Sequence, residues 1–424
     1  MKNRTVVVVG AAKSGLAAAK LLARLGARVT LVDEKPRSQL APVLKGLPSA
    51  VRVNAGQSKF YSEEADLIVV SPGVPWEHRD LVRARREGIS VWPELELGWR
   101  FLHPKATVAV TGTNGKTTTT ALIGHVLKKA GFPTVVAGNI GTPLSALMGS
   151  VTPRTTLVLE VSSYQLEGHK TFHPNVAVFL NLTPDHLKRH KTMAGYAAAK
   201  ARIFDRMDSR DTAVLNGRDA WSRRVGKKAN ARRVFFPNAT DRGLAKSIAL
   251  PGAHNLENAM AASAACRALG VSSKAIRAGF ASFKGVPHRI EFVRALDGVC
   301  YFNDSKATNV DSTMVAIKSF STPIVLILGG EHKGSPYKPL APLIRKQVKA
   351  ILTIGEAAPI IAQDLKGTAP IRACRTLANA VAVARAIAER GDIVLLSPAC
   401  ASFDQFKNFE HRGEQFAKAV RALR

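Results

Sequence analysis

Acidic residues are scarce in this chain: 31 Asp and Glu stand against 61 Lys and Arg, a formal net charge of +30 over 424 residues. That balance raises nucleic acid, an anionic membrane surface or polyanionic small substrates as partners. The nucleic-acid reading lacks its usual companions. The densest basic stretch, Arg223, Arg224, Lys227, Lys228, Arg232 and Arg233, carries no aromatics alternating with its charges and no zinc-finger or recognition-helix pattern. It reads as a solvated loop, and no nucleic acid is expected as a partner.

Cysteine is rare as well. Cys266, Cys300, Cys374 and Cys400 lie far apart and form no C-x-x-C pair, so neither a disulfide framework nor a zinc site is indicated, and thiols in or near a core in a reducing compartment are expected. No apolar run reaches the roughly 18 residues of a membrane span, so no integral membrane segment is expected. The stretch from Met1 to Val9 resembles a secretion signal only until Lys13 interrupts it, and Gly10 with Gly15 makes strand, turn and helix the better reading. A cytoplasmic protein is expected. Aromatics make up 6% of the chain, while Ala, Val and Leu dominate, which suits helices covering parallel sheets. The length suggests about three domains.

Against these absences stands Thr111-Gly112-Thr113-Asn114-Gly115-Lys116-Thr117-Thr118, which follows the apolar run Val108 to Val110 and opens a helical pattern at Ala121. Strand, glycine loop and helix in that order are what a nucleotide-triphosphate site needs. Loop N–H groups and the helix N-terminus meet phosphate oxygens, Lys116 reaches the β- and γ-phosphates, and the Thr117 hydroxyl binds Mg²⁺. Thr111 stands where the general pattern has its first glycine, so the loop is shortened and Gly112 makes the early turn.

Ahead of it, Val6 to Val9, Gly10 to Gly15, an Ala/Leu helix and Val29 to Asp33 form a βαβ opening. It looks like a dinucleotide fingerprint with Ala12 in place of the middle glycine. A diphosphate-nucleotide site and a plain structural unit both remain open on these residues. Asp66 to Gly73 adds a buried strand with a loop at its C-terminal end.

After the phosphate loop, Glu160 interrupts the apolar strand Thr156 to Val161, and an acid there is costly unless paired or metal-bound. His186 ends the segment Thr183-Pro184-Asp185-His186 after the buried run Val176 to Leu182, a placement that suits metal. Lys200 lies in a helix of small residues and by composition reads as a surface or helix-end charge. The last third has strands at Val299 to Phe302, Ile324 to Leu328, Ala350 to Ile354 and Ile393 to Leu396, a further doubly wound sheet. The expected fold is α/β in three domains: a Rossmann-like domain over 1–95, a P-loop ATPase-type domain over 96–285, and a C-terminal Rossmann-like domain over 286–424.

These residues resemble the Mur ligase family along the whole chain, nearest its D-glutamate-adding members. The shortened glycine loop carries the resemblance, with Asn303 to Asn309 and Ser397-Pro398-Ala399-Cys400-Ala401-Ser402-Phe403-Asp404-Gln405-Phe406-Lys407-Asn408-Phe409. The resemblance implies ATP-driven amide formation in peptidoglycan precursor synthesis. D-glutamate would be joined to UDP-N-acetylmuramoyl-L-alanine through an acyl phosphate by a monomeric enzyme using two Mg²⁺ sites.

By position it implies ATP contacts from Gly112, Thr113, Asn114, Gly115, Lys116, Thr117, Thr118, Asn258, Arg289 and Asp304. Metal ligands would be Thr117, Glu160, His186 and Lys200, the last as a carbamate formed with CO₂; Lys116, Lys200, His186 and Glu160 would be catalytic. Uridine-substrate contacts would come from Lys13, Ser14, Gly73, Asn139 and His186, and the D-glutamate pocket from Thr308, Lys333, Ser402 and Phe409. Because ATP and D-glutamate positions fall in different domains, domain closure is also implied. Glu34-Lys35, Lys188 and His332 depart from residues common in the family. Folylpolyglutamate synthase is the neighbouring reading, disfavoured by the N-terminal βαβ domain. A basic P-loop nucleic-acid ATPase is the distant one, and it would show polynucleotide-stimulated turnover.

Overall fold

Runs of β-branched and aliphatic residues with no polar interruption, Val6–Val9 and Ile324–Leu328 among them, become central strands of parallel sheets, buried on both faces. The computed structural model describes residues 1–60, 63–250, 252–332, 334 and 336–424. Three sheets carry the fold.

The first contains β1 (Thr5–Val9), β2 (Arg28–Asp33), β3 (Arg52–Ala55), β4 (Leu67–Val70) and β5 (Ser90–Pro93), all parallel in the order 3-2-1-4-5. The second contains β6 (Ala106–Thr111), β7 (Thr134–Gly138), β8 (Thr156–Glu160), β9 (Val176–Phe179), β10 (Thr212–Asn216) and β11 (Arg232–Phe236), parallel in the order 11-10-9-6-8-7. The third contains β12 (Glu291–Leu296), β13 (Val299–Asn303), β14 (Ile324–Gly329), β15 (Val348–Ile354), β16 (Ile371–Arg375) and β17 (Ile393–Leu396), in the order 12-13-17-14-15-16. Here β12 pairs antiparallel with β13 and the other pairs are parallel.

Two compact units result: Met1–Ile248 with Leu256–Phe283, and Ala249–Asn255 with Lys284–Arg424. The first unit holds two sheets, and the short helix Glu94–Trp99 contributes to the core of each. Leu97 packs with the β1–β4 core, whereas Leu95 packs with the β6–β10 core. The two acids of this helix are fully buried. Glu94 accepts from the Ser145 N–H at 2.7 Å, and burial pushes its carboxyl above the usual range. Glu96 accepts from the Lys170 and Thr171 N–H groups, each at 2.9 Å, and from the Arg100 guanidinium. The second unit has a core on each face of the third sheet, around Leu326, Leu328 and Ile344 on one side and Ile327, Leu396 and Phe416 on the other.

Several readings change. The basic stretch is not a loop: Arg223 and Arg224 lie on the helix Ala220–Gly226 and Arg232 and Arg233 on β11, all exposed. Strands β3, β12 and β16 are short or partly exposed, with little apolar run to announce them. Cys266, Cys374 and Cys400 are buried, Cys300 is partly so, and all four are free thiols. Among the described residues no helix is long and apolar enough to cross a membrane.

Candidate active site

At the C-terminal end of β6 the chain needs two backbone conformations that side chains disfavour, and glycine supplies both. Gly112 has φ +148°, and Gly115, capping the helix Lys116–Lys129, has φ +84°. A Cβ on Gly115 would lie 2.2 Å from Asn258 Oδ1, so Asn258 rests directly on the loop. Asn181, just beyond β9, braces it. The Thr113 N–H donates to the Asn181 carbonyl at 3.0 Å and the Asn114 N–H to its side-chain oxygen at 2.9 Å. Lys116 Nζ donates to the Thr113 carbonyl at 2.7 Å, folded over the loop where phosphate oxygens would compete for it. Thr118 is buried on the following turn.

Glu160 ends β8 and is 2% exposed. Its oxygens accept from the Thr117 hydroxyl and the Asn139 amide, both at 2.7 Å. Neither neutral donor neutralises the carboxylate, so the donor set suits a divalent cation beside the phosphate loop. Gly138 lets β7 turn there, since a Cβ at its φ of +102° would meet the Glu160 carbonyl at 2.3 Å.

Lys200 overturns its composition-based reading. It ends the helix Met193–Ala201 but is 1% exposed, with Nζ 2.8 Å from the Gly112 carbonyl and 4.7 Å from the centre of the Tyr196 ring. Burial, with Lys116 nearby, holds the ammonium well below the usual lysine value. His186 joins the same cluster. Its Nδ1 is 3.0 Å from the Tyr164 hydroxyl and its Nε2 3.3 Å from Asp185. Burial lowers its proton affinity, Asp185 opposes, and Lys200 and Lys116 add to the lowering, which favours the neutral imidazole that ligates metal. Glu160, Thr117, Asn139, Lys116, Lys200 and His186 therefore form one neighbourhood.

The first sheet contributes a cavity of about 200 Å³ at its carboxyl end, lined by Gly10, Asp33, Gln57, Phe60, Gly73 and His78 among others. Gly15 is obligatory: a Cβ there would lie 1.8 Å from the Gly10 carbonyl. Lys13 and Ser14 form the first turn of the helix behind it. Asp33 accepts from the Ala11 N–H at 2.6 Å and the Lys35 N–H at 2.8 Å, so its carboxylate shapes this mouth.

In the second unit Asp304 is 4% exposed and accepts from the Ile290 N–H at 3.2 Å and the Ser397 hydroxyl at 2.8 Å. Burial raises its carboxyl to about 7 even though Arg289 pulls the other way. Burial and Arg289 together lower His254 to about 4.

Arg412, on the helix Phe409–Ala422, has no exposed surface. It donates to the Ser305 hydroxyl (2.9 Å) and to the carbonyls of Ser305 (2.9 Å), Ala401 (2.9 Å) and Cys400 (3.1 Å). It thereby ties the Ser305–Thr308 loop to the loop bearing Ser402, and the Ala399 N–H adds a bond to the Ala307 carbonyl at 3.0 Å. Phe409 begins the same helix, and its carbonyl accepts from Ser305 at 2.8 Å. Thr308, Ser402 and Phe409 are thus carried on joined segments; Lys333 lies outside the described residues. Sequence reading missed Asn181, Tyr164, Tyr196 and Arg412. Only Asn181, a polar residue straight after a buried run, carried a local signal.

Three family models match: a Mur ligase MurD-like N-terminal domain over 4–92, a Mur ligase middle domain over 110–241, and a Mur ligase glutamate ligase domain over 288–400. The chain is 45% identical to the UDP-N-acetylmuramoylalanine--D-glutamate ligase of Myxococcus xanthus, covering 100% of this chain and 99% of that one. It is also 45% identical to the ligase of the same name from Anaeromyxobacter dehalogenans, over 99% and 97% of the two chains. Among solved structures it is similar in fold to UDP-N-acetylmuramate-alanine ligase from Thermotoga maritima, with TM-score 0.61, 18% identity and 99% of each chain covered. It is also similar to E. coli FolC in complex with DHPP and ADP, with TM-score 0.58, 19% identity, and 77% of this chain and 93% of that one covered.

Proposed function

The chain belongs to the Mur ligase family, and from that premise we propose the reaction its geometry supports best: ATP-dependent addition of D-glutamate to UDP-N-acetylmuramoyl-L-alanine. The full-length 45% identity to ligases of that name supports it. The observation that carries the chemistry is the Glu160–Thr117–Lys116–Lys200–His186 cluster around the glycine loop.

A free carboxylate is a poor acyl electrophile at neutral pH. In this reading the alanyl carboxylate attacks the γ-phosphate of ATP, ADP leaves, and the D-glutamate amine displaces phosphate from the acyl carbon. The first step brings an anion onto a polyanion, and the chain's own groups lower that repulsion. Loop N–H groups and Lys116 hold the phosphates, with Asn258 against the loop. Thr117 and Glu160 would hold one Mg²⁺, and His186 with Lys200 as a carbamate the second. Mg²⁺ there would supply charge neutralisation and orientation of the phosphates. The low proton affinity of Lys200 favours this modification, since only a neutral amine adds to CO₂.

The cavity at Gly73, with Lys13 and Ser14, takes the uridine diphosphate. Asp304 and Arg289 serve ATP, and Thr308, Lys333, Ser402 and Phe409 receive D-glutamate, whose two carboxylates suit a cation and hydroxyls. The three domains are residues 1–95, 96–285 and 286–424, and the enzyme acts as a cytoplasmic monomer.

The test is phosphate release from ATP with UDP-N-acetylmuramoyl-L-alanine, adding D-glutamate, L-glutamate, L-alanine, L-lysine or diaminopimelate singly. Turnover with D-glutamate alone, abolished by Lys116→Ala, is expected. Silence with all five, or turnover with folate substrates instead, would overturn the assignment.

A further inference from the structure

Arg189 connects two parts of the first unit that the reaction has not yet related. Its guanidinium donates to the Val74 carbonyl at 2.8 Å, on the loop that walls the cavity beside Gly73. It also pairs with both oxygens of Glu167, with each side chain about 15% exposed. The same guanidinium lies 5.0 Å from the centre of the Tyr164 ring, and the Tyr164 hydroxyl meets His186 Nδ1 at 3.0 Å.

The backbone carrying Arg189 is held in place by such contacts. His186 (φ +53°) and Lys191 (φ +65°) flank the short helix Leu187–His190, both in the left-handed region that side chains disfavour. His190 pins the segment from the other side, 2.9 Å from the Ser163 hydroxyl and stacked on Tyr196. Tyr164 and Glu167 lie on and just after the turn Ser163–Leu166. That turn is fixed by a reciprocal Ser162–Gln165 cap two residues past Glu160. A shift of the Val74 loop has a short, stiff route to His186 and little slack to absorb it.

We propose that Arg189 and Tyr164 are positioning residues that set His186 according to whether the cavity beside Gly73 holds a uridine nucleotide, so that nucleotide binding tightens the metal site His186 serves. This rests on reading that cavity as the uridine diphosphate subsite. It assigns the two residues a role in ordering the reaction, with metal affinity rising before the alanyl carboxylate is engaged. Coupling of this kind is reciprocal and of order fivefold or more.

The probe is Mn²⁺, titrated by electron paramagnetic resonance against the full chain with a non-hydrolysable ATP analogue, with and without UDP-N-acetylglucosamine. That sugar nucleotide carries the uridine diphosphate the cavity is read as taking but brings no alanyl carboxylate. In the native protein the weaker Mn²⁺ site is expected to tighten about fivefold or more on its addition. In Tyr164→Phe and Arg189→Met that ratio is expected to fall to one, with the tighter Mn²⁺ site unchanged. Tyr164→Phe removes one hydroxyl and keeps the ring, so it guards against a misfolded Arg189 variant. Coupling that persists in Tyr164→Phe, or a native protein that binds the sugar nucleotide by calorimetry yet shows no change in Mn²⁺ affinity, overturns the proposal. Failure of the sugar nucleotide to bind at all overturns the assignment of the cavity, and the proposal with it.

Discussion

A lysine with no exposed surface to speak of, beside a second lysine and under a tyrosine ring, holds its proton far less readily than a free lysine, at a cost the fold must recover elsewhere. Lys200 is such a residue. On the proposed reading the cost is recovered when CO₂ converts the amine into an anion that a cation can use. Intact mass under native conditions in bicarbonate should show a gain of one CO₂ that acid removes, absent in Lys200→Met, with turnover of that variant down by roughly 100-fold or more.

Asp304 gives a second prediction. Its folded pKa of about 7 lies above the usual unfolded carboxylate value near 4, so between those values the folded chain binds more protons than the unfolded one. The stability this contributes is fully present below about pH 4 and is lost as pH rises through about 7, by at most about 1.4 kcal/mol per pH unit. Urea denaturation across pH 5–8 should show the slope in the native protein and a flatter one in Asp304→Asn. Sequence marked both positions through family resemblance alone. The partner that Lys200 meets in its buried position is a carbonyl 88 residues away, and no local pattern encodes that.

Elements whose function is local were legible, and elements that act by bridging were not. The phosphate loop was readable because its two positive-φ turns need glycine at fixed offsets from a strand end and a lysine. Glu160 was readable because an acid in an apolar strand contradicts its surroundings. Arg412 follows an ordinary Phe-Glu-His sequence at the start of an amphipathic helix and looks like a surface charge. Its burial depends on loops after β13 and β17 turning their carbonyls toward it. Replacing it by Met removes the guanidinium's bonds to these buried carbonyls, of which Ala401 still accepts from the Glu331 N–H. The second unit should lose about 1–3 kcal/mol, and KM for D-glutamate should rise more than KM for ATP. Denaturation and steady-state kinetics read the two effects separately.

For the whole molecule, the scarcity of acids becomes an electrostatic property. A chain at +30 acting on two polyanionic nucleotides should attract both at long range. KM for ATP and for UDP-N-acetylmuramoyl-L-alanine should therefore rise between about 50 and 300 mM salt, as the Debye length shrinks, with kcat changing less. Equal insensitivity of both constants would mean the charge is spread too evenly to steer.

The helix Glu94–Trp99 carries a different consequence. Because Leu97 belongs to one hydrophobic core and Leu95 to the next, and because Glu94 and Glu96 are anchored by N–H groups from the second sheet's connections, neither core is complete without six residues that the other also needs. Two sheets that look like separate modules would then melt as one cooperative block, and a chain cut beside this helix would leave each fragment with an open face.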